Sequence, residues 1–385
     1  MSSHLSFTAR FLSLAAAALL LAGCQTAPSQ AVAEAPSIAS APLLRQDAFK
    51  GVYEVAAAAD GNSVFVATIN GFEPQNAGFI HRLDARTLQI LQTIQVPQRS
   101  FALGLNHTTN ILYVGNTLDG SLTVVDAVSG MVRGVIPLAV PVRNAKGEES
   151  LPHTRKVIVD EKNNRIFVTS PGQPGLVWIV DGATNTLTHT IISDGIWTAG
   201  AAYDEAANRL YVSQGGINEI LVIDPDAGEI VGRFSTGDST ANTKEGSRHF
   251  FINAALDAKG QRLFTTDPNS NQVYVFDTAS GKLIRQIPLE GAGLLDVAFN
   301  PKRNELYTTQ RGVSRDVPGG TGAVTFIDAR TYDVQRKLDL PAHPNSLALS
   351  PDGDTLYVTV KAPHGDKHPA WRKDGLDSVV RIDLP

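Results

Sequence analysis

The sequence holds a single cysteine, Cys24, among 385 residues. That excludes a disulfide framework and any cysteine-based metal centre. Positive charge is also in short supply: 33 Lys and Arg stand against 38 Asp and Glu, for a formal net charge of −5. A mildly acidic chain is not a general polyanion binder, because non-specific nucleic-acid affinity comes from clustered Lys and Arg. Such binding would need a local basic face. The apolar stretch Phe11 to Ala22, FLSLAAAALLLA, has only twelve residues, and a membrane-spanning helix needs about 20. No G-x-S-x-G nucleophile motif occurs, so a common hydrolase signature is missing.

What the N-terminus does hold reads as export machinery. Arg10 gives a thin positive region before the apolar run, which suits a signal peptide over residues 1–23. The run ends in Leu21-Ala22-Gly23-Cys24, which resembles a bacterial lipobox. The resemblance implies that the Cys24 thiol is acylated and becomes the first residue of the mature chain. Gln25 stands where an Asp would retain an inner-membrane lipoprotein, so the resemblance implies the outer membrane of a bacterial cell envelope, on its periplasmic side. Residues 24–41 continue as Ala, Pro and Ser without periodicity and read as a flexible tether. Residues 42–385 form the folded domain.

That domain is a repeat. An aromatic inside a β-rich run recurs as Phe65, Tyr113, Phe167, Tyr211, Phe264, Tyr307 and Tyr357. An Asp ending an apolar run recurs as Asp84, Asp126, Asp181, Asp224, Asp277, Asp328 and Asp383. The two columns alternate without a break, at about 49 residues per repeat, the size of a four-stranded propeller blade with its loops. The spacing predicts an all-β, seven-bladed β-propeller with antiparallel blades. The last repeat stops after its third strand, and Leu43 to Phe49 is free to supply the fourth. The N-terminal strand then closes the ring and removes its open edge. The seven Asp residues invite a catalytic reading, but sevenfold repetition fits Asx turns, in which each carboxylate binds backbone N–H groups two residues on.

Blade topology puts A–B and C–D turns on one face and B–C and D–A loops on the other. The first set is short throughout. The insertions GFEPQNAG (71–78), RGVSRDVPGGTG (311–322) and APHGDKHPAWRKDG (362–375), with long D–A loops near 139–153 and 236–248, all belong to the second. Loops on a rigid scaffold concentrate function, so this is the expected binding face.

Counting nine residues back from each aromatic gives Ala56, Gly104, Ile158, Ala202, Ala255, Ala298 and Ala348. This nearly all-small column on the innermost strand is expected to line the narrow channel. Strands alternate with period 2, so a second column eleven back is expected beside it: Glu54, Ala102, Lys156, Gly200, Asn253, Asp296 and Ser346. Its polar members are candidates for a small ligand at the channel mouth. Above them comes a rim of Arg99, His153, Arg155, Trp197, Arg248, His249, His343 and Asn345. The three rim histidines fall on alternate blades, across the channel from one another, too far apart for the roughly 2.0–2.1 Å contacts of a shared zinc. No metal or cofactor is expected. The loop residues Lys361, Trp371, Arg372 and Lys373 add cations and a stacking surface for unpaired bases.

The LYV(T/S) runs with trailing V-x-D resemble the YVTN repeat. His249-Phe250-Phe251-Ile252-Asn253, His343-Pro344-Asn345-Ser346-Leu347-Ala348-Leu349-Ser350 and the SVVRIDL ending at 378–384 resemble the YncE family of exported propellers. The resemblance runs from about residue 43 to the end. It implies the fold and an envelope location. Single-stranded DNA binding is one role proposed for that family, and the lipobox sets this chain apart from a freely diffusing periplasmic protein.

Two functions are therefore in play. The first is a non-catalytic binding or scaffold propeller, expected to be monomeric, without catalytic residues. It engages an envelope ligand or protein, or single-stranded DNA or another polyanion, through the loop-rich face. The second is a metal-dependent lactonase-like hydrolase with Glu54, Asn253, Asp296 and Asn345 at the channel mouth. Lys156 in the same ring opposes it by repelling a cation, unless it pairs with Glu54 or Asp296.

Overall fold

A computed structural model describes residues 43–384, except 74, 144–146, 148, 194, 239–246, 315–316 and 341. The expected signal segment 1–23, the lipidated Cys24 and the tether 24–41 lie outside the described residues.

Seven four-stranded antiparallel sheets form the domain. Six use consecutive strands, within 52–96, 100–137, 156–193, 197–235, 254–288 and 294–340 (blades 1 to 6). Blade 7 takes Pro344–Leu349, Thr355–Val360 and Asp377–Asp383 as its strands A, B and C. Its strand D is Leu43–Phe49, with Leu43 opposite Ile382 and Asp47 opposite Ser378. The N-terminal strand thus closes the ring as the truncated last repeat requires. One element has no counterpart in the sequence reading: a hairpin of Val142–Arg143 and Glu149–Ser150 inside the loop between blades 2 and 3. Two residues per strand are too few to show alternation.

The apolar core is seven seams between neighbouring blades. The cluster of Phe65, Ile80, Leu103, Leu112 and Val125 joins blades 1 and 2, and that of Tyr307, Phe326, Leu356 and Val380 joins blades 6 and 7. Phe49 enters the seam of blades 7 and 1, which ties ring closure to burial as well as to strand pairing.

The small column nine residues before each aromatic needs a correction. It borders the channel, but its side chains belong to the seams: Ala298 packs with the blade 6–7 cluster and Ala348 with the blade 7–1 cluster. A Cβ on Gly104 would come within 2.5 Å of Val157 Cγ1 on blade 3. Close approach of adjacent innermost strands therefore limits the size of these residues.

The Asp column forms the expected turns. The Asp84 carboxylate accepts from Arg86 N and Thr87 N, and Asp126 from Val128 N and Ser129 N. These N–H bonds, with Arg133, hold the Asp126 carboxyl at about 2.

A second column explains the T or S of LYV(T/S). Two residues past the aromatic, blades 3 to 7 carry Thr169, Ser213, Thr266, Thr309 and Thr359. Each hydroxyl accepts from an N–H on or beside its own strand A: Lys156, Gly200, Asn253, Asp296 and Ser346. Each also donates to a carbonyl of the next blade: Ala199, Ile252, Leu295, Asn345 and Tyr53. Strand A slips register here in blades 4, 6 and 7, leaving backbone groups that must find partners. Blades 1 and 2 have Ala67 and Gly115 instead. In the first of those seams the Glu54 carboxylate makes a different cross-blade bond, accepting from Leu103 N at 3.0 Å.

Candidate functional site

The long loops fall where the repeat places them. Segments 70–77, 311–321 and 361–376 separate strands B and C in blades 1, 6 and 7, and 138–155 and 236–253 precede blades 3 and 5. All five belong to the B–C and D–A face. Blades 6, 7 and 1 are consecutive in the ring, so three of the five flank one side of the mouth.

Within the channel, the eleven-back column is an ionic and hydrogen-bonded frame. Lys156 Nζ lies 3.0 Å from Glu54 Oε1, and Arg155 reaches the same oxygen at 3.6 Å. Burial opposes the Lys156 charge, but Glu54 and then Asp296 outweigh it and raise its pKa. Asp296 is itself raised, by burial that Lys156 only partly offsets. The polar members reach to the next blade: Asp296 accepts from Leu347 N at 2.9 Å, and Asn253 Nδ2 donates to Leu295 O at 2.8 Å. Asn345 Nδ2 points to Tyr53 O at 3.4 Å. Two buried acceptors in this ring, Asn253 Oδ1 and Ser346 Oγ, have no partner. Among the described residues no three His, Cys, Asp or Glu side chains gather into a metal-holding group.

Several rim residues are not the free cations that their positions suggest. Arg99 is 6% exposed; its guanidinium pairs with Asp119 and donates to the carbonyls of Phe72 and Leu118. It fastens the blade 1 insertion and is spent on that task. His249 is buried between Asp267 at 2.8 Å and Asp238 at 2.9 Å. Burial lowers its basicity, but hydrogen bonds to the two carboxylates outweigh this and raise its pKa. Arg248 also binds Asp238. The pair secures the loop before blade 5. His153 meets Thr117 Oγ1 at 3.3 Å. Trp197 packs on Phe250 with centroids 5.9 Å apart. In the blade 7 loop, Arg372 turns its guanidinium to the carbonyls of Pro369 and Trp371. Trp371 is 36% exposed, and Lys373 is exposed on the same loop.

The residues that do converge are partly different ones. Lys361 Nζ stands 3.5 Å from the centroid of the Tyr53 ring. Tyr53 lies against Phe101 at 4.1 Å and Phe72 at 6.3 Å, and Arg155 stacks over Phe101 at 5.3 Å. Arg311 N–H and C=O border the same corner: His343 N donates to Arg311 O, and Lys361 N donates to His343 O, each at 3.1 Å. Burial lowers Lys361 to about 8, and Arg311 adds to the effect. Tyr53 is pushed up to about 12 by burial and then by Asp377. Among the described residues, no carboxylate pairs with Arg311 or Lys361. The nearby Asp377 accepts from Val52 N and Ala362 N. A cleft of about 310 Å³ opens between Tyr53, Phe72, Lys361, His364 and Asp377.

Arg311, Tyr53, Phe72, Phe101 and His364 escaped the sequence reading. A signal for three of them exists. Arg311 and Lys361 both stand four residues past the strand-B aromatic, on neighbouring blades, where other blades carry Ile69, Thr117, Pro171, Gly215 and Pro268. Tyr53, Phe101 and Arg155 share another column, one residue before the channel ring of blades 1 to 3. Extending the column count by one step in each direction finds them.

No family model matches the chain. Among solved structures, the WD40 repeats of RRP9 superpose with a TM-score of 0.66, covering 91% of this chain and 99% of that one at 13% identity. A likeness at that identity speaks for the propeller fold alone. Whole-length relatives are closer. The uncharacterized protein YncE of Salmonella typhimurium is 36% identical over 348 residues, 90% of this chain and 92% of the relative. Its counterpart in Escherichia coli strain K12 is 34% identical over 346 residues, with the same coverage. With more than a third of positions shared along nearly the whole length of both chains, this chain belongs to the YncE family of seven-bladed propellers.

Proposed function

We propose that this chain is a non-catalytic binding protein of the bacterial cell envelope, taking an anionic ligand on its loop-rich face. Single-stranded nucleic acid is the polyanion that suits the site best. The observation that carries this reading is the mouth at blades 6, 7 and 1. There, among the described residues, no carboxylate forms an ion pair with Arg311 or Lys361, although Asp377 acts on Lys361 from nearby, and the aromatic shelf of Tyr53, Phe101 and Phe72 lies beside them. Cations that track a backbone and rings that stack bases are the two parts of a single-strand site. The sequence adds the location, through a lipid on Cys24 and the tether 24–41. Leu43 sits at the short-turn end of blade 7, so a tether reaching it joins the ring on the face opposite the mouth.

The hydrolase reading is short of free carboxylates. Glu54 is engaged by Lys156 and Leu103 N and Asp296 by Leu347 N, while Asn253 spends its Nδ2 on the Leu295 carbonyl and keeps Oδ1 open. The Lys156 ammonium, paired with Glu54 and within the field of Asp296, opposes a metal cation there by like charge.

Fluorescence anisotropy with a labelled single-stranded oligonucleotide tests the proposal. Weak binding is expected, with a slope of about −1.4 to −2.1 in log affinity against log salt for two to three neutralised phosphates. Arg311→Gln and Lys361→Met should flatten that slope by about 0.7 each. Arg372→Gln should matter less, because its guanidinium is turned to its own loop. Absence of binding at low salt, or indifference to Arg311 and Lys361, would refute the reading.

A further inference from the structure

At the corner where blades 6 and 7 meet, three residues are stitched together by their backbones. Arg311 follows strand B of blade 6, His343 precedes strand A of blade 7, and Lys361 follows strand B of blade 7. His343 is the middle link, donating its N–H to Arg311 O and accepting from Lys361 N, both at 3.1 Å. It is also the strained member. Its φ is +41°, a region that non-glycine residues rarely occupy, and Pro344 follows it, which restricts it further. Strain of this kind persists only where the surroundings over-determine it, and it clusters at ligand clamps. The His343 side chain is 7% exposed, and its Nδ1 is buried without a hydrogen-bond partner.

The charge around this ring is one-sided. His364 lies 5.0 Å away, centroid to centroid. Beyond it, Arg311, His368 and Lys361 all act on His343 in the same direction. The carboxylate that acts on this group is Asp377, felt by Lys361 and His364, and both its oxygens are committed to backbone N–H groups. Gathering cations against one carboxylate that forms no ion pair with them is costly in a partly desolvated corner. An orphaned imidazole nitrogen adds the cost of an unmade hydrogen bond. One anion removes both costs.

We propose that Arg311, His343 and Lys361 form a seat for a single tetrahedral oxyanion, a phosphate or phosphate ester, and that the anion is taken up together with a proton on His343. The seat deepens the binding reading above and rests on it. Three separate side chains can each face one oxygen of a tetrahedral anion, whereas a carboxylate has two oxygens to offer. Tyr53, neutral across the physiological range, stands beside them as a further hydroxyl donor. The proton linkage follows from charge balance. With no anion present, burial and the surrounding cations hold His343 down at about 4. A bound dianion reverses the local field, so the imidazole gains a proton and becomes a donor to it.

Isothermal titration calorimetry on the full chain tests this, with sodium sulfate, inorganic phosphate and acetate as probes in two buffers of different ionisation heat. Sulfate stays fully ionised above pH 5, so any proton taken up on its binding comes to the protein. One sulfate or phosphate is expected per chain, with acetate about ten-fold weaker. Sulfate affinity is expected to rise about five-fold from pH 7.5 to 5.5, with measurable proton uptake. Arg311→Gln and Lys361→Met should each weaken sulfate by about ten-fold. His343→Asn keeps a residue that tolerates positive φ. It should remain folded by thermal melting, bind sulfate and lose the proton uptake at pH 5.5, where Lys361, at about 8, is already protonated. The proposal is overturned by undetectable sulfate and phosphate binding at low ionic strength, by acetate binding as tightly as sulfate, or by proton uptake unchanged in His343→Asn. If oligonucleotide binding persists where sulfate and phosphate do not bind, the seat falls and the broader reading stands. If sulfate binds with these properties and the oligonucleotide does not, the polyanion reading falls and the seat stands.

Discussion

The hydroxyl of Thr359 gives the sharpest test of how the ring is held shut. Thr359 is fully buried. It donates to Tyr53 O, across the closing seam of blades 7 and 1, at 2.6 Å, and accepts from Ser346 N at 3.1 Å. Thr359→Val keeps the shape and removes both bonds. The Ser346 N–H is then left without a partner, at a cost of about 1–3 kcal/mol. The Tyr53 carbonyl retains only the long 3.4 Å contact from Asn345, which adds about 0.5–1 kcal/mol. A loss of about 2–3 kcal/mol is expected. For about 340 ordered residues the unfolding entropy is about 0.7 kcal/mol/K, so the melting temperature should fall by about 3–4 °C in differential scanning calorimetry. Thr359→Ser is the control. It keeps the hydroxyl and loses one methyl, for about 1 kcal/mol. The reasoning fails if the valine variant is as stable as the serine variant, because that would mean the hydroxyl column fills space and bonds nothing of consequence.

Two further outcomes follow from the ion pairs that replaced the expected rim cations. Arg99→Met leaves the half-buried Asp119 without its guanidinium partner and frees the Phe72 carbonyl; urea unfolding should show a loss of about 1–3 kcal/mol, while sulfate affinity stays unchanged. His249 has a raised pKa because two carboxylates hold its protonated form. Its contribution is therefore fully present below the ordinary histidine value of 6.5 and is lost as pH rises through the raised one. Limited proteolysis of the loop before blade 5 should accelerate between pH 6 and pH 9 in the wild type, and His249→Gln should cleave at the faster rate at both. Equal rates for the wild type at the two pH values would show that the carboxylates do not hold the charge.

The repeat, and with it the fold, is legible because it is local. A strand-B aromatic, a turn-opening Asp and the spacing between them are properties of neighbouring residues, and periodicity brings them out without any knowledge of the ring. Strand exchange at Leu43–Phe49 is legible for a similar reason: a blade one strand short and a strand without a blade appear in the same count. The face carrying the insertions follows from topology alone. Charge pairing does not. Arg99 and Arg311 look alike in sequence, and each sits near the top of a blade. Only the fold brings Asp119 to one and leaves the other beside Lys361, because ion pairs form between residues that are distant in the chain. The small column was misassigned on the same ground. Its residues were rightly read as crowded, but what crowds them is the neighbouring blade's innermost strand, which no single repeat contains. The sequence by itself determined a closed seven-bladed ring and the side on which it carries its loops. The tertiary structure decided which cations are already neutralised within the chain, and set Arg311 and Lys361 beside His343 without an ion-paired carboxylate among the described residues.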